Sequence, residues 1–378
     1  MTKKRPYNTS LRIICASLFA IFSFLYIYML QGELLALVQD YLSQGKTTNN
    51  ALATASIITL LLMIIQYLLA KVSKLHSRYE AFSYLPSCII LALIVKVDST
   101  LSYSWVQWGV AMLVVAAVYM LVVWIDRNTT PQKRETKFLG LLIPNLGVMV
   151  TLFMFTGWYG NSNPAQMMEL AAWKYTHDGD YNKVLSVGQK SEDCNAGLTA
   201  LRNLALAKTG QLGDKLFSYP QPYGSDGLMM KKTNMQTPKY GTDEFYKILG
   251  IQPNADENAA TFYKRMLQET DSTYYYDLYV AALLLDKDID TIVALTTENG
   301  HPIESLSPAP VHIQEAWMMY NEQQPSAPIA FVPDNAVAQR YQEYLALRKA
   351  NANNPTVMKN LCRRKFGNTY WYYYDLVN

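Results

Sequence analysis

Histidine and cysteine are scarce in this chain, four of each in 378 residues. His76, His177, His301 and His312 never fall at ligand spacing from one another or from a cysteine, so no metal site is expected. No cofactor fingerprint is present either, and no residue can be named as catalytic. Charge is missing from five whole stretches, 13–30, 51–70, 82–95, 105–125 and 138–159, which hold no Asp, Glu, Lys or Arg. Ionisable side chains inside a bilayer are the usual mark of ion and proton pathways, so their absence disfavours a coupled transporter. A passive channel would need a polar stripe, and Gln66, Asn145 and scattered Ser and Thr supply little of one.

What fills those stretches is apolar length. A helical crossing takes about 20 apolar residues, within a range of roughly 17–25, so four stretches qualify and 82–95 is short. The basic residues decide its status. Lys3, Lys4, Arg5 and Arg12 precede the first stretch, Lys71, Lys74 and Arg78 follow the second, and Arg127, Lys133, Arg134 and Lys137 separate the fourth from the fifth. The alternate connections, 31–50 and 96–104, carry only Lys46 and Lys96. Eleven against two obeys the positive-inside rule only if 82–95 also crosses. The reading is a membrane protein with a cytoplasmic amino terminus, five crossings and an extracytoplasmic carboxy-terminal part. The first stretch has no small-x-small cleavage site before Gln31 and is expected to be retained. Trp105, Trp108 and Trp124 bracket the fourth stretch and Trp158 with Tyr159 closes the fifth, either as an interfacial belt or as rings between helices. Pro144, Asn145 and Gly147 interrupt the fifth stretch, as a kink repaired by neighbours or as a site.

Composition changes near residue 160. Up to that point 13 basic residues face 6 acidic ones, a balance of +7; beyond it 20 face 24, a balance of −4, and the two sum to the net +3. The basic excess therefore sits beside the apolar stretches, where orientation explains it, and no nucleic-acid partner is expected. The domains expected are 1–160, spanning the lipid bilayer five times, and 161–378, helical and outside it. The fold class expected is all-α.

The second part opens on a helix hairpin. Asn163 can cap a helix begun by Pro164, with Met168, Leu170, Ala171, Trp173 and Tyr175 at apolar spacing before His177, Asp178 and Gly179. A second periodic run follows through Val184, Leu185 and Val187. Tyr175, Gly179, Asp180 and Tyr181 resemble the turn of a tetratricopeptide repeat, with Val184 where a small residue is usual. Leu206, Gly210 and Leu212 in LRNLALAKTGQLGDKLF take the same roles, and Lys287, Asp288 and Ile289 do so without the glycine. The resemblance implies a scaffold binding proteins or peptides, with no residue carried over as a contact. The whole chain also resembles uncharacterised multi-span membrane proteins of Bacteroides- and Prevotella-like bacteria that share LRNLALAKTGQLGD.

Other motifs fail. Gly45-Lys46-Thr47 would need a glycine where Asp40 stands, and no strand precedes it, so it reads as an outward loop. DEFYKILGIQPNADENAATFYKRM resembles the opening of a J domain, yet the only later candidate for that family's His-Pro-Asp turn is the distant His301-Pro302-Ile303. Phe245, Tyr246, Ile248 and Leu249 read instead as a short amphipathic helix. Gly224-Ser225-Asp226-Gly227 lacks the strand of a nucleophile elbow and reads as a surface turn. The stretch 217–253, rich in Pro, Gly and Tyr, reads as a long ordered loop.

Three features of the outer part stay open. Cys194 and Cys362, facing an oxidising space, can pair as a disulfide, whereas Cys15 and Cys88 lie in crossings. His312 and Glu315 share a helix face, which reads as solvated. Tyr274 to Tyr276 and Tyr370 to Tyr374, the latter broken by Trp371, read as core packing more than as a stacking surface. The leading function is a membrane-anchored scaffold for envelope proteins or peptides, with a non-enzyme favoured. The alternative is an envelope glycan- or lipid-processing enzyme using Glu169, Asp178 or Asp180, which would have to converge in a cleft.

Overall fold

A computed structural model describes residues 6–44, 46–47, 49–96, 105–128, 138–160, 163–189, 191–230, 241–270, 272–298, 309–324 and 331–377. Of the residues named above, Lys3, Lys4, Arg5, Gly45, Lys133, Arg134, Lys137 and the segment 301–303 lie outside them. The described residues are all-α, with no strand among them, and fall into one unit up to Asn163 and a second from Pro164 onward.

Five helices of the first unit are long and apolar enough to cross a membrane: Thr9–Leu30, Ala51–Ser73, Ser77–Val95, Trp105–Asn128 and Phe138–Tyr159. The first is α1 (Pro6–Leu25) running into a π-turn, Tyr26–Leu30. The connection after it is no loop: α2 (Gly32–Ser43) places Leu34, Leu35, Leu37 and Val38 on one buried face, an i, i+3, i+4 pattern that the short run concealed. Asn50 then caps α3 (Ala51–Ser73) by accepting from the Ala53 N–H.

The third crossing-length helix corrects its expected length. A 3₁₀ segment, Ser77–Tyr84, kinked at Tyr79, runs directly into α4 (Leu85–Val95), giving a span of 19 residues rather than the apolar fourteen. The extension carries Arg78 and Glu80, so the crossing is not free of charge. It is also the centre of the unit, 67% buried against 6% for α5 (Trp105–Asn128) and 17% for α6 (Phe138–Tyr159). Phe19 packs on Tyr84 at 5.0 Å and Phe22 stacks on Phe153 at 4.0 Å, tying the first crossing to the third and fifth. The outward faces stay apolar and open, as at Leu113 and Met154, a surface that water disfavours and a bilayer accepts.

Three helix pairs of the second unit turn on one device. They are α7 (Pro164–His177) with α8 (Tyr181–Ser186), α9 (Ala196–Lys208) with α10 (Leu212–Lys215), and, after α11 (Thr242–Leu249) and α12 (Ala259–Thr270), α13 (Thr273–Leu285) with α14 (Ile289–Glu298). Gly179, Gly210 and Lys287 stand in the left-handed region, at φ of +73°, +66° and +62°. The next amide in each case returns to the carbonyl five residues earlier, Asp180 to Tyr175 at 2.9 Å, Gln211 to Leu206 at 2.9 Å and Asp288 to Leu283 at 3.0 Å. That bond satisfies a carbonyl the helix end would orphan. Lys287 adopts the conformation without being glycine, and its ammonium donates to the Val377 carbonyl at 2.7 Å over the Tyr373 and Tyr374 rings. The series closes with α15 (Val311–Gln323), α16 (Asn335–Ala350), α17 (Pro355–Phe366) and α18 (Tyr370–Leu376).

The aromatic runs are core. Tyr276, Tyr370, Trp371, Tyr372 and Tyr373 are buried, in one cluster with Trp173, Trp317, Phe262 and Tyr263. The tryptophans of the first unit contrast with these: Trp105, Trp124 and Trp158 are 63–78% exposed. The described residues of the stretch 217–253 hold two short 3₁₀ turns, Leu216–Ser218 and Gly224–Leu228, and α11, joined by irregular segments.

Candidate functional site

Four segments of the second unit surround a cleft of about 620 Å³. Each is fixed by hydrogen bonds from polar side chains behind it or at its end. The turn after α8 is held by Arg202, 1% exposed, whose Nη2 donates to the Val187 and Gly188 carbonyls at 2.7 and 3.0 Å. Gly188 takes φ +55°, and a Cβ there would strike the Met168 sulfur, so only glycine fits. The segment from Phe217 to Pro222 is anchored by the Tyr219 hydroxyl on the Leu185 carbonyl at 2.8 Å and by Gln221, which exchanges amide hydrogen bonds with Asn203. Asn354 caps α17 and Thr369 caps α18, and the Tyr373 hydroxyl donates to the Leu285 carbonyl at 2.9 Å.

The lining is basic over an aromatic floor. Lys359, Arg363, Arg364 and Lys365 of α17 face it with Tyr219, Phe217, Tyr372 and Tyr373, and Glu192 is the single acid among the lining residues. Lys359 and Arg363 lie one helical turn apart, which places their charges along one face. Arg363 pairs with Glu192, and Lys365 pairs with Glu343 at 2.9 Å. Lys359 and Arg364 have no acidic partner among the described residues. Four cations against one acid, in a unit whose sequence is net acidic, make this a local concentration of positive potential suited to an anionic group.

The acids named from sequence do not converge. Glu169 is buried and accepts from the Asn195 amide at 2.7 Å, and burial pushes its carboxyl above the usual range. Asp178 is exposed on the first hairpin turn, and Asp180 caps α8 by accepting from the Lys183 N–H at 3.2 Å. None of the three lines the cleft. Cys194 and Cys362 are free thiols, the second fully buried, so the disulfide is not formed. His312 and Glu315 are not a solvated pair: both are 1% exposed, Nδ1 lies 2.7 Å from Oε2, and the same oxygen accepts from the Tyr370 N–H at the start of α18. The carboxylate therefore fixes α18 to α15, a structural task. No group of three His, Cys, Asp or Glu side chains placed to hold a metal exists among the described residues.

The first unit has its own buried polar layer. The half-exposed Arg12 donates from Nε to Glu80 at 3.1 Å. Gln66 donates to Ser83, and Ser83 to the Glu80 carbonyl, at 2.9 and 2.8 Å. Asn145, one residue after Pro144 in the unbroken helix α6, accepts from the Ala81 N–H at 2.8 Å and donates to the Ser77 carbonyl at 2.9 Å. Asp126 accepts from the His76 N–H at 3.0 Å. Asn145 and Gln66 thus serve the start of the third crossing. They knit helices.

Sequence reasoning missed the cleft. The run Arg363-Arg364-Lys365 at the end of α17 was the available signal, and alone it reads as an ordinary helix terminus complementing the macrodipole. Glu192 offered none, since its partner is remote in the chain.

No curated protein and no solved structure matches this chain. A family profile does match, over residues 11–261 and 251–376, and the chain accordingly belongs to the family of unknown function DUF6057.

Proposed function

We propose that this protein is a multi-pass protein of the bacterial inner membrane, amino terminus cytoplasmic, whose second unit is an extracytoplasmic, tetratricopeptide-like scaffold that binds an envelope protein or peptide. The basic cleft carries the reading, because two of its cations face the opening without an acidic partner among the described residues. Five crossing-length helices support membrane insertion, and the basic residues, eleven on one side and two on the other, support the orientation. Three hairpins closed by the same turn support a repeat scaffold. The dispersal of Glu169, Asp178 and Asp180 argues against the enzymatic alternative.

The test is site-directed photocrosslinking of the full chain in native membranes, with the reactive group at Gln189 or Asn368, both in the cleft lining. The expected result is a discrete protein adduct that is missing when the group is placed at the exposed Val332, outside that lining. Identical smears from all three positions would refute the reading.

A further inference from the structure

We infer that the cleft selects a carboxylate-rich peptide segment, and that Glu192 occupies the ligand's place on Arg363 when the cleft is empty. The inference rests on the binding role proposed above and adds the ligand's chemistry and a built-in competitor. Glu192 is 71% exposed and Arg363 49%, so the pair is a surface contact whose two groups could each be solvated instead. Exposed pairs of this kind hold weakly, and an incoming carboxylate can replace one. A guanidinium takes a carboxylate in the same fork geometry whichever chain supplies it. Displacing Glu192 would leave Arg363, Lys359 and Arg364 to act together on one anionic segment.

The remaining lining favours a peptide over a bare anion. A volume of about 620 Å³ is far larger than one phosphate needs. The amides of Gln189, Asn360 and Asn368 offer polar partners for a backbone, and the rings of Phe217 and Tyr373 offer an apolar floor. A phosphate or an anionic headgroup would use the cations and leave these unused.

The experiment uses the full chain in nanodiscs of neutral lipid and a fluorescent oligoglutamate peptide, read by anisotropy. Oligoglutamine, inorganic phosphate and phosphatidylglycerol vesicles serve as competitors. Oligoglutamate should bind with an affinity that falls steeply with salt, and oligoglutamine should not compete. The double variant Arg363→Gln/Arg364→Gln should bind about tenfold or more weakly. Glu192→Gln, which frees Arg363, should bind about two- to fivefold more tightly. Unchanged or weaker binding by Glu192→Gln overturns the competitor role. Competition by phosphate or vesicles at concentrations matching the peptide overturns the choice of ligand. No oligoglutamate binding by a protein that still gives its cleft crosslink overturns this inference alone, while loss of both removes the binding reading too. Unchanged thermal unfolding of the variants shows that the differences are not losses of fold.

Discussion

Replacing Asn145 by alanine tests whether the polar layer at the third crossing is structural. Asn145 is 1% exposed and serves two backbone groups of the 3₁₀ segment, the Ala81 N–H at 2.8 Å and the Ser77 carbonyl at 2.9 Å. Two magnitudes compete. Side-chain hydrogen bonds between membrane helices average about 0.6 kcal/mol, because the unfolded state finds other partners. A buried backbone group left with no partner costs about 1–3 kcal/mol. The second governs at the buried Ala81 N–H, whereas the Ser77 carbonyl, in a part-buried bond, can fall back on solvent. The expected loss in Asn145→Ala is therefore about 1–3 kcal/mol. Asn145→Asp keeps an acceptor for Ala81 and loses the donor to Ser77, so it should fall between. Asn128, whose amide donates to the Trp124 carbonyl in an exposed setting, is the control, and Asn128→Ala should change stability by less than about 0.5 kcal/mol. Reversible unfolding in detergent micelles, followed by circular dichroism against added dodecyl sulfate, gives the differences. Asn145→Ala within about 0.5 kcal/mol of the native protein would refute the reasoning.

Other outcomes follow from single positions. Burial, and secondarily Asp214, push the Asp277 carboxyl up from its ordinary 3.8 to about 6. Its folded form therefore binds the proton more tightly than its unfolded form, so stability declines as pH rises from about 4 to 6 and stays lower above that. Asp277→Asn should flatten this slope and stabilise the second unit at pH 7 by up to about 3 kcal/mol, read by thermal unfolding at several pH values; an unchanged slope contradicts it. Gly210→Ala meets no atom within 4 Å yet must hold φ +66°, so it should cost about 1 kcal/mol from conformation alone, and a neutral result in chemical denaturation would contradict the turn geometry. A thiol reagent added to the native protein should modify the half-buried Cys194 well before the buried Cys362, and mass spectrometry without reductant should find no peptide linking them; a linked peptide overturns the free-thiol state.

The five crossing-length helices were legible because apolar length is a local signal that survives without knowledge of packing. What sequence concealed was the start of the third. Ser77, Arg78 and Glu80 look like a polar connection, and only Arg12 and Asn145, from other helices, make that polarity affordable inside the unit. All three hairpin turns could be read, two from Gly179 and Gly210 and the third from Lys287-Asp288-Ile289 in the same roles, whereas the contact of Lys287 with Val377 is announced by no local pattern. The burial of His312 and Glu315 was hidden for the same reason, since their environment comes from Phe217 and Tyr370 on other segments. The cleft is the extreme case, its four walls drawn from distant stretches and its charge from a helix end that reads as routine.

The placement of tryptophan gives this protein an optical address for each unit. Trp173, Trp317 and Trp371 are at most 2% exposed, while Trp105, Trp124 and Trp158 project from the apolar first unit. Brominated acyl chains quench indole only on contact, so in reconstituted vesicles they should dim the second set and spare the first. Emission that survives such quenching comes from the second unit and from whatever part of the half-buried Trp108 the acyl chains do not reach, and a Trp108→Phe variant would make it a report on the second unit in an intact vesicle without any added dye.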